Sequence, residues 1–278
     1  MMAAASSPIQ SKGNYMAELA IIASQNVETR AWLNNSREIH LPTGDTSVPA
    51  VIGSLHGREL IVLPRNSSGR PVPPHALDYR ANIEALVRAG VRKVLTTAMV
   101  GSLRHSIPTG SMLILDQFID FTRNRQSTYF TGSQFGHADM TEPYCPTLRR
   151  HMIQCAEAIG LTVTPRGCYV CVSGPRFETR AEVRMFAQLG GDVVGFTNVT
   201  DCVMAREAGL CFATFAGVVN LGAGISDQAM KSEYWRHVRK IHATHFTEII
   251  AQIVQLPTLD GPDERASCRC AGAAPIEK

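Results

Sequence analysis

Short apolar runs and amphipathic stretches alternate along this chain. Glu18–Ala23, Glu59–Leu63, Val91–Thr97, Ser111–Asp116, Gly191–Gly195 and Leu210–Val219 are apolar runs of strand length. Thr162–Val172 reads as one long strand or a strand pair. Leu41–Ile52 reads as a hairpin, with Gly44-Asp45 in one turn and His56-Gly57 in the next. Helical spacing of apolar residues marks Asp78–Ala89, Thr147–Ile159, Thr179–Leu189, Asp201–Ala208 and Lys231–Gln255. Asp78 is a good N-cap, and Gly90, Gly160 and Gly190 are C-terminal stops. The alternation predicts an α/β fold: a single domain over residues 17–255, with a twisted mixed central β-sheet flanked by helices.

Polar residues gather where the apolar runs stop. Ser24-Gln25-Asn26, Arg65-Asn66, Thr96-Thr97 and Thr197-Asn198 each follow or end a predicted strand, as does Asn220. Ligands of open α/β sheets bind at the strand carboxyl ends. Hydroxyls, amides and one guanidinium in one crevice suit an oxyanion such as phosphate. Strand-end Ser and Thr also cap following helices, so spacing alone leaves both readings open. The segment Ser67–His75, with one Gly and three Pro, is a loop, and residues 122–142 are a long polar loop.

Composition narrows the class. The chain has 278 residues, is 45% apolar and carries a net charge of +3, which gives a sizeable core and no argument for nucleic acid or a membrane surface. No apolar run reaches a membrane span's ~18–20 residues. Residues 1–16 carry no secretory pattern and read as a disordered leader; residues 256–278 read as a disordered tail. Several of the eight cysteines lie in apolar runs, as expected of free thiols in a reduced, cytoplasmic protein. Cys168 and Cys171 form a C-x-x-C, but Cys268-x-Cys270 does not supply the matching second pair of a zinc site, so no metal is expected.

The stretches SGPRFETRAE from Ser173, GGDVVGFTNVTDCVMAREAGLCFA from Gly190 and VVN at Val218–Asn220 resemble the trimeric nucleoside phosphorylases. That group holds purine nucleoside phosphorylase and 5′-methylthioadenosine phosphorylase. DYRANIEAL, TTAMVGSLR, PTGSMLILDQFIDFT and TEPYCPTLRR are similar to the same group, nearer its methylthioadenosine branch, and the resemblance spans residues 17–255. It implies phosphorolysis of an N-glycosidic bond by a homotrimer, with inorganic phosphate as co-substrate and no metal or organic cofactor. By the same resemblance Arg65, Thr97, Ala98 and Thr197 would hold phosphate, with Ser24 as the hydroxyl of the first turn. Phe196 would lie under the ribose, with Asn198 beside that site. His137 would reach the 5′ end of the sugar in a neighbouring subunit. Phe177, Glu178 and Asn220 would hold the base.

Glu178 can accept from a ring N–H, and Asn220 can donate to a ring nitrogen or carbonyl. That pair fits a 6-oxopurine nucleoside, unmodified or 5′-modified; a modified pyrimidine nucleoside of the uridine type is the alternative. Glu178 could instead be a helix N-terminal carboxylate, and Asn220 a turn residue. The chain also departs from the family. Ala23–Asn26 lacks the family's Gly-rich turn, Asn66 replaces a His, Phe196 replaces a Met, and Arg70 stands near another lost His. These changes keep open a different anion grip or a non-catalytic nucleoside-binding relative. His237, His242 and His245 read as a solvated face of the closing helix, and Trp235 as packing.

Overall fold

The computed structural model describes residues 17–23, 32–44, 46–66, 72–133, 135–226, 232–260, 268, 270 and 274–275. Its elements in chain order are β1 (Leu19–Ala23), β2 (Asn34–Thr43), β3 (Thr46–Leu55), β4 (Arg58–Pro64), α1 (Tyr79–Arg88), β5 (Lys93–Ser102), β6 (Met112–Ile114), β7 (Gln117–Phe121) and β8 (Gly136–His137). There follow α2 (Pro146–Ala158), β9 (Cys168–Val172), α3 (Arg180–Gln188), β10 (Val193–Gly195), α4 (Asn198–Glu207), β11 (Cys211–Leu221), α5 (Ser232–Ile253) and β12 (Ala274–Pro275). Ten strands form one mixed sheet in the order β2-β3-β4-β1-β5-β10-β9-β7, with β11 on β5 and β6 on β11.

β1, β5, β10 and β11 are buried along nearly their whole length, which explains their continuous apolar runs. Along β1, Ala20 and Ile22 enter the cluster under α1 and α4, while Leu19, Ile21 and Ala23 enter the one under α2 and α5. A smaller cluster joins Val183 and Phe186 of α3 to Val170 and Val194 of the sheet. Asp78 caps α1 by accepting from Ala81 N at 3.0 Å. Thr179 and Glu182 form a reciprocal capping box on α3.

β5 decides where a ligand can sit. Its residues Lys93–Ser102 pair along one edge with β11. The other edge has two partners in succession: β1 beside Lys93–Thr96, then β10 beside Gly101 and Ser102. Between them, Thr97–Val100 have no strand on that edge among the described residues, and the sheet opens.

Several expected boundaries move. The hairpin arms extend over Asn34–Leu55, and β5 runs to Ser102 rather than Thr97. Only Cys168–Val172 of the expected 162–172 strand is extended. β7 was not expected; its residues are partly exposed on both faces, so it lacks a strand's usual alternation. The closing-helix histidines are not one solvated face. His242 is fully buried, its Nε2 lies 3.2 Å from the Val218 carbonyl, and Gly217 makes room for its ring.

The segment expected to be a disordered tail has structure wherever it is described. Residues Pro257–Asp260 form a 3-10 turn, and Lys93 Nζ donates to the Leu259 carbonyl. Cys268 and Cys270 are buried, and β12 pairs antiparallel with β8. Non-local contacts hold this polar segment, and local periodicity does not register those.

Candidate active site

The opening on β5 is the floor of a cleft of about 150 Å³. Met99, Val100 and Gly101 of β5, Val194 and Gly195 of β10, and Phe196 line it from the sheet. Phe177 and Glu178 come from the loop before α3, and Val219 and Asn220 from the end of β11. Trp235 and Arg239, one turn apart on α5, complete it. Sequence reading gave Trp235 to packing and did not select Arg239. The Arg239 guanidinium lies 5.3 Å from the Trp235 ring centre. Their i, i+4 spacing beside a cationic side chain was the available signal.

Four of the expected residues meet in this cleft: Phe177, Glu178, Phe196 and Asn220. A register shift in β11 between Val218 and Asn220 accompanies the placing of Asn220 at the opening. Its Nδ2 donates to the Leu221 carbonyl at 3.0 Å and packs close over Gly101, where a Cβ would lie only 3.2 Å from it. Glu178 is half-buried, and its Oε1 is sealed from solvent with no hydrogen-bond partner among the described residues. Burial pushes its carboxyl above the usual carboxylate range, against the pull of its own backbone N–H and Arg176. The Phe177 and Phe196 rings lie 6.2 Å apart at 40°, giving two apolar faces suited to a flat ring. Gly174, at φ +61°, passes so close to Phe196 that a Cβ would stand 3.0 Å from the ring.

Arg65, Thr97, Ala98 and Thr197 are not among the residues that line this cleft. Arg65 is 6% exposed and firmly held. Its Nε pairs with Asp201 at 2.7 Å, and its Nη2 donates to Thr96 Oγ1 at 2.5 Å and to the Thr97 carbonyl at 3.2 Å. Asp201 is fully buried; burial raises its carboxyl pKa while Arg65 draws it down. Sequence reading missed Asp201. An acid in the first turn of α4 was the signal, but only the fold brings it to Arg65. Thr197 is the N-cap of α4, and its N–H points to Tyr169 Oη at 3.4 Å. Arg125, also missed, clamps this region. Its Nη1 donates to the Phe196 carbonyl at 2.6 Å and its Nη2 to the Ser173 carbonyl at 3.1 Å.

Asn198 faces the core. Its Oδ1 accepts from Tyr144 Oη at 2.6 Å and its Nδ2 donates to Thr214 Oγ1 at 2.8 Å, so both ends of the amide are engaged away from the cleft. His137 is exposed on β8 and is not part of its own chain's cleft. Ser24, with the whole Ser24–Asn26 turn, and Arg70 lie outside the described residues.

A family model for the phosphorylase superfamily matches residues 18–255. The chain is 41% identical over 244 residues to a probable 6-oxopurine nucleoside phosphorylase of Thermococcus kodakarensis, covering 85% of this chain and 87% of that one. It is 36% identical over 258 residues to an S-methyl-5′-thioadenosine phosphorylase of Thermofilum pendens, covering 92% and 96%. A crystal structure of a methylthioadenosine phosphorylase from an antarctic soil metagenomic library superposes with a TM-score of 0.82 at 30% identity, covering 94% of this chain and 93% of that one.

Proposed function

The chain belongs to the phosphorylase superfamily and is a purine nucleoside phosphorylase, a pentosyltransferase; on that premise we propose that it prefers 6-oxopurine nucleosides and that the cleft holds the base between Glu178 and Asn220. The observation that carries the preference is the Oε1 of Glu178, buried and without a partner among the described residues, in the same cleft as the Asn220 amide. A 6-oxopurine presents a ring N–H to the carboxylate and a carbonyl or ring nitrogen to the amide. A 6-amino base lacks that ring N–H and would leave Glu178 unmatched.

In the reaction a phosphate oxygen bonds to C1′ of the sugar while the C1′–N bond breaks. The bond's electrons leave with the base, which takes up a proton. Positive charge builds on the sugar and negative charge on the base. Arg65, Thr97 and Thr197, with Ala98 alongside, are assigned to the phosphate, whose charge stabilises the sugar cation. Asp201 fixes the guanidinium in place by holding its Nε. Asn220 stabilises the departing base, Glu178 holds its N–H edge, and Phe177 and Phe196 pack against base and ribose. His137 belongs to this scheme only across a subunit boundary, consistent with a homotrimer in which each site borrows from its neighbour. The setting is taken as cytoplasmic; no helix among the described residues is long and apolar enough to cross a membrane.

Product analysis tests the reading. Inosine, guanosine, adenosine, uridine and their 5′-methylthio forms are incubated with and without phosphate, and free base and pentose 1-phosphate are measured. Phosphate-dependent release from inosine or guanosine ahead of adenosine is expected. Release without phosphate, or fastest release from adenosine or uridine, refutes the assignment.

A further inference from the structure

Four of the eight cysteines form a cluster remote from the cleft. Cys145 is the N-cap of α2, Cys211 is the first residue of β11, and Cys268 and Cys270 belong to the C-terminal segment. All four are buried free thiols. Their Sγ atoms all lie within 4.8 Å of one another, with Cys211 and Cys268 at 3.4 Å. Sulfurs around a tetrahedral zinc, at about 2.3 Å from the metal, stand about 3.8 Å from each other. Disulfides would instead divide the four into two pairs at about 2.05 Å. Here every sulfur is near every other, and the arrangement is a single knot.

We propose that Cys145, Cys211, Cys268 and Cys270 bind one structural zinc ion. The site is closed: four thiolates complete the tetrahedron and leave no position for water or substrate. Zinc with four thiolates carries a charge of −2, and two features offset it. Cys145 stands at the amino end of α2, where the helix dipole favours negative charge. The Arg206 guanidinium, 4% exposed, acts electrostatically on the Cys270 thiol. The metal would fasten the last residues to the core between α2 and β11. It would also fix the path into β12, which pairs with the strand that carries His137. The expectation from sequence that no metal binds rested on Cys168 and Cys171 lacking a second pair. The C-x-C at Cys268 and Cys270 takes different partners, 57 residues or more away in the chain, and spacing rules do not reach that far.

The test is metal and thiol stoichiometry on the full-length protein purified under reducing conditions, without added metal. Expected are one zinc per chain by mass spectrometry of the elements and eight titratable thiols after metal-free denaturation. Exchange with Co(II) should give thiolate-to-cobalt charge-transfer absorption and the intense ligand-field bands of a tetrahedral four-sulfur site. C268S/C270S should lose the zinc and melt earlier, whereas C168S should keep it. Protein without zinc, whether with eight thiols or with disulfides among these four cysteines, overturns the proposal. So does zinc retained in C268S/C270S. Should that variant fail to fold, the wild-type zinc count and the cobalt spectrum decide alone.

Discussion

Replacing Glu178 by Gln separates a ligand-binding carboxylate from a structural one. The substitution keeps the shape and removes the charge. In the free protein Oε1 is buried and has no partner among the described residues, and burial outweighs the pull of the Glu178 backbone N–H and Arg176 toward the ionised form. With a 6-oxopurine bound, the carboxylate accepts a charge-assisted hydrogen bond worth about 1.5–3 kcal/mol, against about 1 kcal/mol for a neutral one. The loss is therefore about 0.5–2 kcal/mol, a roughly 2- to 30-fold fall in kcat/KM for inosine. Adenosine, with no ring N–H to lose, should fall little, so the ratio of the two substrates is the readout.

Stability should move the other way. Burial raises the folded pKa of Glu178 above its unfolded value. Its contribution is thus present below the unfolded pKa of about 4.3 and is lost as pH rises through the folded one. Glu178→Gln should then melt no earlier than wild type at pH 8, and any gain should vanish near pH 4. Wild-type KM for inosine should rise as pH falls through the raised pKa, and the variant should lack that rise. Equal losses for inosine and adenosine, or a lower Tm at pH 8 with unchanged kcat/KM, would refute the base-reading role.

Two other substitutions probe the rest of the site. Asn220→Asp should shift preference toward 6-amino bases, seen as a higher adenosine-to-inosine ratio of kcat/KM; an unchanged ratio removes Asn220 from base reading. Asp201→Asn breaks a buried ion pair with Arg65 and should cost about 3 kcal/mol, lowering Tm by roughly 6–12 °C and raising the KM for phosphate; an unchanged phosphate KM would show that Arg65 does not need this partner.

The sequence made the strands and helices legible where burial is simple. β1, β4 and β11 are apolar on both faces, and α1 and α3 carry their caps in the chain. Phe177, Glu178, Phe196 and Asn220 could be named because a motif marks them and the fold then brings them together. Asn198 could not be separated from Thr197 in the sequence. Adjacent residues at a helix start point in different directions, and only the positions of Tyr144 and Thr214 show that this amide faces inward. Asp201, Arg125 and the cysteine knot were hidden for a related reason. Each acquires its chemistry from a residue many positions away, and no window of local pattern contains both partners.

The half-paired stretch of β5 also means that part of what a ligand meets is main chain. From Thr97 to Val100 the edge facing β1 and β10 carries peptide groups that no neighbouring strand occupies among the described residues, and one of them, the Thr97 carbonyl, holds Arg65. A bound nucleoside and phosphate would stand beside this row. Peptide groups are the same whatever the side chains, so this row can persist while Phe196 or the first turn changes. Such a protein could alter its choice of base or sugar substituent without rebuilding the frame on which the bond is broken.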